Sequence, residues 1–381
     1  MRVFARLALA RKRTVANPAA VLFAVLGLLL ARESAAVEFA LLPALKSHLA
    51  QKGLLLDVAT DGQRLLVVGE QGHILYSDDN GGSWSHADVP ISLAITAVTF
   101  AADGHAWATA HDGYLLRSTD GGKSWQTKLS GSRIAELSAG ALQDRVESIE
   151  AALADATPET REDLEWALED GLFAIEEATD AIENGMTTPL LNVWFYDDDN
   201  GFAMGAYGVF LRTRDAGANW VVDSNRLDNL DKYHLYDITR SVAGTLLVAG
   251  EAGILLRSLD DGATWERVEA NYGGSFFGTV AATDGSLLVF GLRGNVFRST
   301  DEGETWVAID TGDERTLMTS TVRDDGTIIL AGSGGALLQS EDHGASFARI
   351  PTEGNKVYSG VTETSDGNIL LVGFGGISVY E

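Results

Sequence analysis

The chain of 381 residues contains no cysteine, which excludes disulfides, thiolate metal centres and a cysteine-borne lipid anchor. Six prolines exclude Pro-rich linkers and polyproline stretches. Basic residues are scarce beside acidic ones, 28 against 54, for a net charge of −26. A surface of that sign repels nucleic acid and anionic lipid headgroups, so neither is an expected partner. Long apolar runs are missing as well. The longest, Ala19 to Ala31, has 13 residues, short of the ~20 that a spanning helix needs. It follows Arg2, Arg6, Arg11, Lys12 and Arg13 and precedes the small residues Ser34-Ala35-Ala36, the layout of a secretory signal peptide over residues 1–36. Those 36 residues hold six basic and one acidic side chain. Their removal takes the net charge from −26 to −26 − 5 = −31, and the expected location is the periplasm.

Glycine, by contrast, is plentiful at 42 residues, and its placement is periodic. The pattern Ser/Thr-x-Asp-x-Gly-x-x-Trp/Phe occurs six times: Ser77–Trp84, Ser118–Trp125, Thr213–Trp220, Ser258–Trp265, Ser299–Trp306 and Ser340–Phe347. A hydroxyl and a carboxylate two apart bond backbone N–H groups of a tight turn, Gly allows a positive φ, and the aromatic opens the next strand. The repeated acids Asp79, Asp120, Asp215, Asp260, Asp301 and Asp342 are read as turn-formers, because a catalytic or metal site is not copied into every repeat. A second column, Gly72, Gly113, Gly208, Gly253, Gly294, Gly335 and Gly376, each four residues ahead of Tyr, Arg or Gln, counts seven units at a period near 41. Four short strands per unit fit that length.

The expected fold is therefore all-β, a seven-bladed β-propeller over 37–130 and 188–381. The last unit stops after its third strand, so the segment Val37–Pro43 is expected to supply the fourth and close the ring by strand exchange. One interval of 95 residues holds an insertion at 131–187. Apolar residues there recur with helical spacing: Ile134, Leu137, Leu142, Val146, Ile149 and Leu153, then Leu164, Leu168, Leu172, Ile175 and Ile182. Thr157-Pro158 reads as a helix start between the two series. A helical hairpin results, with 15 acidic and 3 basic side chains. A solvated helical pair and a partner-binding arm are both open readings of it.

Candidate chemistry is thin. Turns between second and third strands present Glu70, His111, Asp112, Tyr207, Glu251, Arg293, Ser333 and Phe374 on the channel-mouth face; His111-Asp112 beside Glu70 could in principle act as acid and base. Tyr233, His234, Tyr236, Phe276, Phe277, Met318, Lys356 and Tyr358 lie at or near the inner strands, as mouth surface or as core. The arginines Arg117, Arg212, Arg257 and Arg298 fall one per blade at the other end of the third strand. They are read as cover for apolar surface rather than as a converging anion site. Asp197-Asp198-Asp199-Asn200-Gly201 lacks the glutamate of a calcium loop, and the seven histidines show no metal spacing. No metal, cofactor or catalytic set is expected.

The eight-residue repeat resembles the Asp-box, or bacterial neuraminidase repeat, of propeller blades. The full unit, Gly-x-apolar-apolar-Arg-Ser-x-Asp-x-Gly-x-Thr-Trp as at Gly294–Trp306, resembles that of the photosystem II stability and assembly factor family. The resemblance covers 37–130 and 188–381 and implies a non-enzymatic factor that holds a membrane-protein intermediate on the lumenal side, or an accessory to an exporter. The hairpin departs from the plain family pattern. A sialidase-like glycosidase or carbohydrate-binding propeller is the alternative.

Overall fold

Second strands set the architecture. Leu65–Gly69, Ala106–Ala110, Gly201–Gly205, Leu246–Gly250, Leu287–Gly291 and Ile328–Gly332 are buried at every residue. A strand buried on both faces must lie between two further layers, and here those layers are the neighbouring sheets. The computed structural model describes residues 42–101, 105–185 and 187–380. Among them are seven antiparallel sheets, each built from consecutive strands. Blade 1 is Leu55–Thr60, Leu65–Gly69, Ile74–Ser77 and Ser85–His86; blades 2 to 6 repeat the plan. Blade 7 has three described strands, Val357–Glu363, Ile369–Phe374 and Gly376–Tyr380.

Side chains on the innermost strands stitch blade to blade. Ser359 Oγ donates to the Leu55 carbonyl (2.8 Å), joining blade 7 to blade 1. Val98 N donates to Asp57 (2.9 Å), Thr96 Oγ1 to the Leu190 carbonyl (2.6 Å), and Asn192 Nδ2 to Asp237 (2.8 Å). Thr279 N donates to Asp237 (2.8 Å) and Ser320 Oγ to the Thr279 carbonyl (3.4 Å). Arg323 pairs with Glu363 at 2.8 Å between blades 6 and 7. Leu55, Val58, Leu65 and Val67 of blade 1 share a core with Leu370 and Val372 of blade 7. The exchanged strand expected at Val37–Pro43 lies outside the described residues except for Leu42 and Pro43, which form no strand.

The six repeats fold alike. In blade 5, Asp301 Oδ1 accepts from Ser299 Oγ (2.7 Å) and Thr305 N (2.9 Å), and Ser299 Oγ accepts from Gly303 N (2.9 Å). Asp79, Asp120, Asp215, Asp260 and Asp342 make the same bonds in their own turns. The Thr305 hydroxyl, then the Thr305 N–H, hold the Asp301 carboxyl down at about 2. A depressed carboxyl stabilises the fold above its unfolded value near 4 and loses that contribution as pH falls through about 2. Asp301→Ala should lower stability by about 0.5–1 kcal/mol at neutral pH in urea denaturation, a figure discounted for the solvent that screens this exposed carboxylate, with the difference from the parent protein shrinking between pH ~4 and ~2.

Helix α1, Gly131–Ala154, starts on Ser130, whose hydroxyl accepts from Arg133 N. Helix α2, Pro158–Asn184, has Thr157 at its N-cap and Pro158 in its first turn. Ile134 and Leu137 sink the root of α1 into the core between blades 2 and 3, with Trp107, Leu129 and Leu190. The helices approach closely where a side chain is missing: a Cβ on Gly171 would stand 2.8 Å from Val146 Cγ2. Leu172, expected on the inward stripe, is instead 51% exposed. One residue beyond Gly171, it is turned about 100° off the line facing α1.

Candidate partner-docking face

In blades 1 to 6 the turns between second and third strands are three-residue 3-10 turns with a left-handed middle residue. Gln71, Asp112, Tyr207, Ala252 and Arg293 all have φ between 53° and 58°. A left-handed non-glycine residue is uncommon and carries strain. Here it is held in place by the glycine that follows. A Cβ on Gly294 would fall 1.8 Å from the Asp313 carbonyl oxygen, and one on Gly253 2.1 Å from that of Tyr272. Each turn thus abuts the connection that leaves its own blade's fourth strand. At Gly113 the abutting residue is Gly131, so the hairpin rises beside the His111–Gly113 turn.

Left-handed geometry throws Tyr207 outward, 62% exposed. Its ring meets His234 (centroids 5.0 Å apart), His234 meets Tyr236 (6.3 Å), and Tyr236 meets Phe277 (5.1 Å). These four form one aromatic row across blades 3, 4 and 5. Glu251 fixes the row from beneath, accepting from His234 N at 3.2 Å and standing 3.7 Å from His234 Nε2. Burial, then the Glu251 carboxylate, push the Tyr236 phenol above its ordinary value, so it stays neutral.

Other residues singled out from sequence lie elsewhere. Phe276 and Tyr358 are core, at 0% and 5% exposure. Both occupy the position of Leu55, Ile95, Leu190, Leu235 and Leu317, all buried at the start of an inner strand. The bulge at Phe276/Gly278 makes the next residue, Phe277, the half-buried one. Tyr233 packs with the blade 3–4 core, and its N–H and carbonyl are clamped by Asn229. Lys356 is exposed and bonds Ser378 Oγ at 2.9 Å. Glu70 accepts from Leu54 N at 3.0 Å, a turn-fixing role like that of Glu251. His111 Nδ1 and Asp112 Oδ1 pair with each other at 2.6 Å. Among the described residues no hydrogen bond or ion pair joins them to Glu70. Arg293 stands at the left-handed position of its own turn, in the same blade as Phe277.

The arginine column does not converge. Arg257 donates to the Glu302 carbonyl (3.2 Å) and pairs with Glu266 and Glu304. Arg298 donates to the His343 carbonyl (2.9 Å) and pairs with Asp284. Each reaches the next blade's Asp-box turn. Arg117 lies over the Trp107 ring at 5.4 Å and Arg212 pairs with Asp223. Asp197 accepts from Asp199 N and Asn200 N and is a turn-former.

Two acids on innermost strands escaped sequence reading. Asp57 accepts from Val58 N (2.8 Å) and Val98 N. Asp237 accepts from Ile238 N, Asn192 Nδ2, and both N and Oγ1 of Thr279. Both keep some accessible surface yet are packed between neighbouring blades. Enclosure dominates: it pushes the Asp57 carboxyl up to about 7 and that of Asp237 to about 6. Their signal was an acid two residues after the leucine that opens an inner strand.

Comparison with known proteins gives the relationship. The model of the family described as photosynthesis system II assembly factor YCF48 matches residues 175–314. The photosystem II assembly lipoprotein Ycf48 of Synechococcus sp. (strain CC9902) is 27% identical over 248 residues, covering 55% of this chain and 74% of that protein. Among solved structures, YCF48 bound to D1 peptide superposes with a TM-score of 0.60 at 16% identity, over 91% of this chain and 98% of that one. YCF48 from Cyanidioschyzon merolae gives 0.59 at 14%, over 86% and 95%. The WD40 propeller domain of Doa1 gives 0.58 at 9%, over 90% and 96%, so the likeness in shape speaks for the fold alone. Sheets and solved structures agree that the chain is a β-propeller, and its repeat unit and the segment 175–314 are similar to those of the photosystem II assembly factors.

Proposed function

We propose that this chain is a non-catalytic periplasmic factor that docks on a membrane-protein complex during its assembly, through the channel-mouth face. The observation that carries this reading is the aromatic row Tyr207, His234, Tyr236 and Phe277. Aromatic side chains supply large, rigid contact area at low entropic cost. The related solved protein with a bound D1 peptide supports a membrane-protein segment as the occupant. Glu70, His111 and Asp112, the acid–base candidates, are spent on local bonds, which weighs against the glycosidase alternative. The acidic surface speaks against nucleic acid and anionic lipid as partners.

Capture of the tagged protein from detergent-solubilised membranes tests this. Tyr207→Ala with Tyr236→Ala should weaken recovery of the partner complex by about 10- to 100-fold, the scale of two interface side chains contributing about 1 kcal/mol each, while far-UV circular dichroism is unchanged. Turnover of aryl sialosides that disappears on Glu70→Gln or Asp112→Asn would establish the glycosidase instead.

A further inference from the structure

Helix α2 carries a second stripe that its hairpin does not use. Leu164, Leu168 and Ile175 are half-buried on the inward side. Trp166 and Phe173, by contrast, are 66% and 60% exposed. Seven residues apart, they lie on one side of the helix, about 10 Å apart along its axis. Glu162, Glu169 and Glu176 run along one flank of this ridge, and Asp163, Asp170 and Glu177 along the other. All six are exposed. Among the described residues only Glu177 of the six has a cationic partner, Lys232 at 3.0 Å. An aromatic ridge between two acidic rails has no role in the hairpin's own core, and an exposed tryptophan on a helix face marks an interaction surface.

Charge decides the occupant. A second copy of α2 would set acidic rails against acidic rails, and an anionic bilayer would be repelled likewise. We propose that α2 docks a basic amphipathic helix of a protein partner. Its apolar stripe would seat on Trp166 and Phe173, and its Lys or Arg flanks would lie against the two rails, a helix-on-helix mode in which charge sets specificity and speed. This goes beyond the mouth-face reading and does not depend on it.

The probe is a synthetic Leu/Lys amphipathic helix of about 18 residues, five turns. Two controls accompany it: an isomer of the same composition without a Leu face, and a version with Glu for Lys. Calorimetry with the full chain should show binding of the Leu/Lys helix. Trp166→Ser with Phe173→Ser should weaken it at least about tenfold with helix content retained, and the isomer should bind at least about tenfold more weakly. Raising salt from about 0.1 to 0.5 M should weaken it further, and the Glu version should not bind. Glu169→Lys with Asp170→Lys keeps the ridge and should shift preference toward the Glu version, which covers the case where the serine variant misfolds. Equal binding of the serine variant and parent, or of the two Lys peptides, would overturn the proposal as mere polyanion attraction. So would a dimer in sedimentation that the serine variant abolishes, since the occupant would then be a second copy.

Discussion

Replacing Trp107 by alanine is expected to destabilise the ring by about 3–5 kcal/mol, the range for emptying a buried indole site. Trp107 is 1% exposed between blades 2 and 3. Its ring stacks on Phe195 at 5.3 Å, meets Trp220 edge-on at 5.8 Å and lies under the Arg117 guanidinium. Gly217, in the blade 3 Asp-box turn, sits so close that a Cβ there would fall 2.3 Å from the indole. The cavity therefore borders backbone on one side and strand side chains on the other, and neither can close over it. Domain stabilities lie at about 5–15 kcal/mol, so the variant should show a large drop in urea midpoint with an unchanged slope. Trp107→Phe, which keeps most of the stack, should lose less than half as much. Because Ile134 and Leu137 join the same core, the loss should loosen the hairpin root too, visible as faster amide exchange in α1.

The second large effect is a pH dependence. Asp57 and Asp237 hold their protons more tightly in the folded ring, at about 7 and about 6, than in the unfolded chain near 4. For a carboxyl raised by folding, the unfolded state ionises first as pH climbs. Stability therefore falls from pH ~4 to ~6–7 and levels off above. For Asp57 the fall is on the order of 2–4 kcal/mol, reduced by whatever water the channel admits. Asp57→Asn should remove the Asp57 part of this limb and leave the part due to Asp237, which ends near pH ~6. At pH ~4, where the parent carboxyl is still protonated, it should lower stability by about 1–3 kcal/mol, because the amide NH2 must face one of two N–H donors, Val58 or Val98; above pH ~7 that deficit should shrink or reverse, since the variant has no charge to bury. Thermal melts from pH ~4 to ~8 separate the two effects: the slope reports ionisation and the offset at the low-pH end reports the lost bond. The Asp-box acids work in the opposite sense and in a separate window, below pH ~4.

What was legible in the sequence follows from what repeats. The Ser/Thr-x-Asp-x-Gly pattern located six of the seven blades, since one local bonding scheme must recur wherever the same turn recurs. The glycine column counted the blades, but its cause was hidden. Gly253 and Gly294 are glycines because the connection leaving their own blade's fourth strand, at Tyr272 and Asp313, presses on them, a contact that the local turn pattern does not show. At the mouth, Phe276 and Phe277 are chemically identical neighbours, and only the bulge in the inner strand decides that the first is core and the second half-buried. Comparing columns could have done it: Leu55, Ile95, Leu190, Leu235 and Leu317 share the place of Phe276. Asp57 and Asp237 looked like polar interruptions of apolar strands, because their partners, Val98 and Thr279, lie one blade on. Trp166 and Phe173 were hidden by a stronger aliphatic series on the same helix.

The docking account stands or falls on recovery of a partner by the mouth face. Affinity capture of the tagged full chain from solubilised membranes, followed by mass spectrometry, should recover one membrane-protein complex with the parent protein and lose it with Tyr207→Ala/Tyr236→Ala. Equal recovery by both forms, or no membrane protein recovered by the parent, would contradict it.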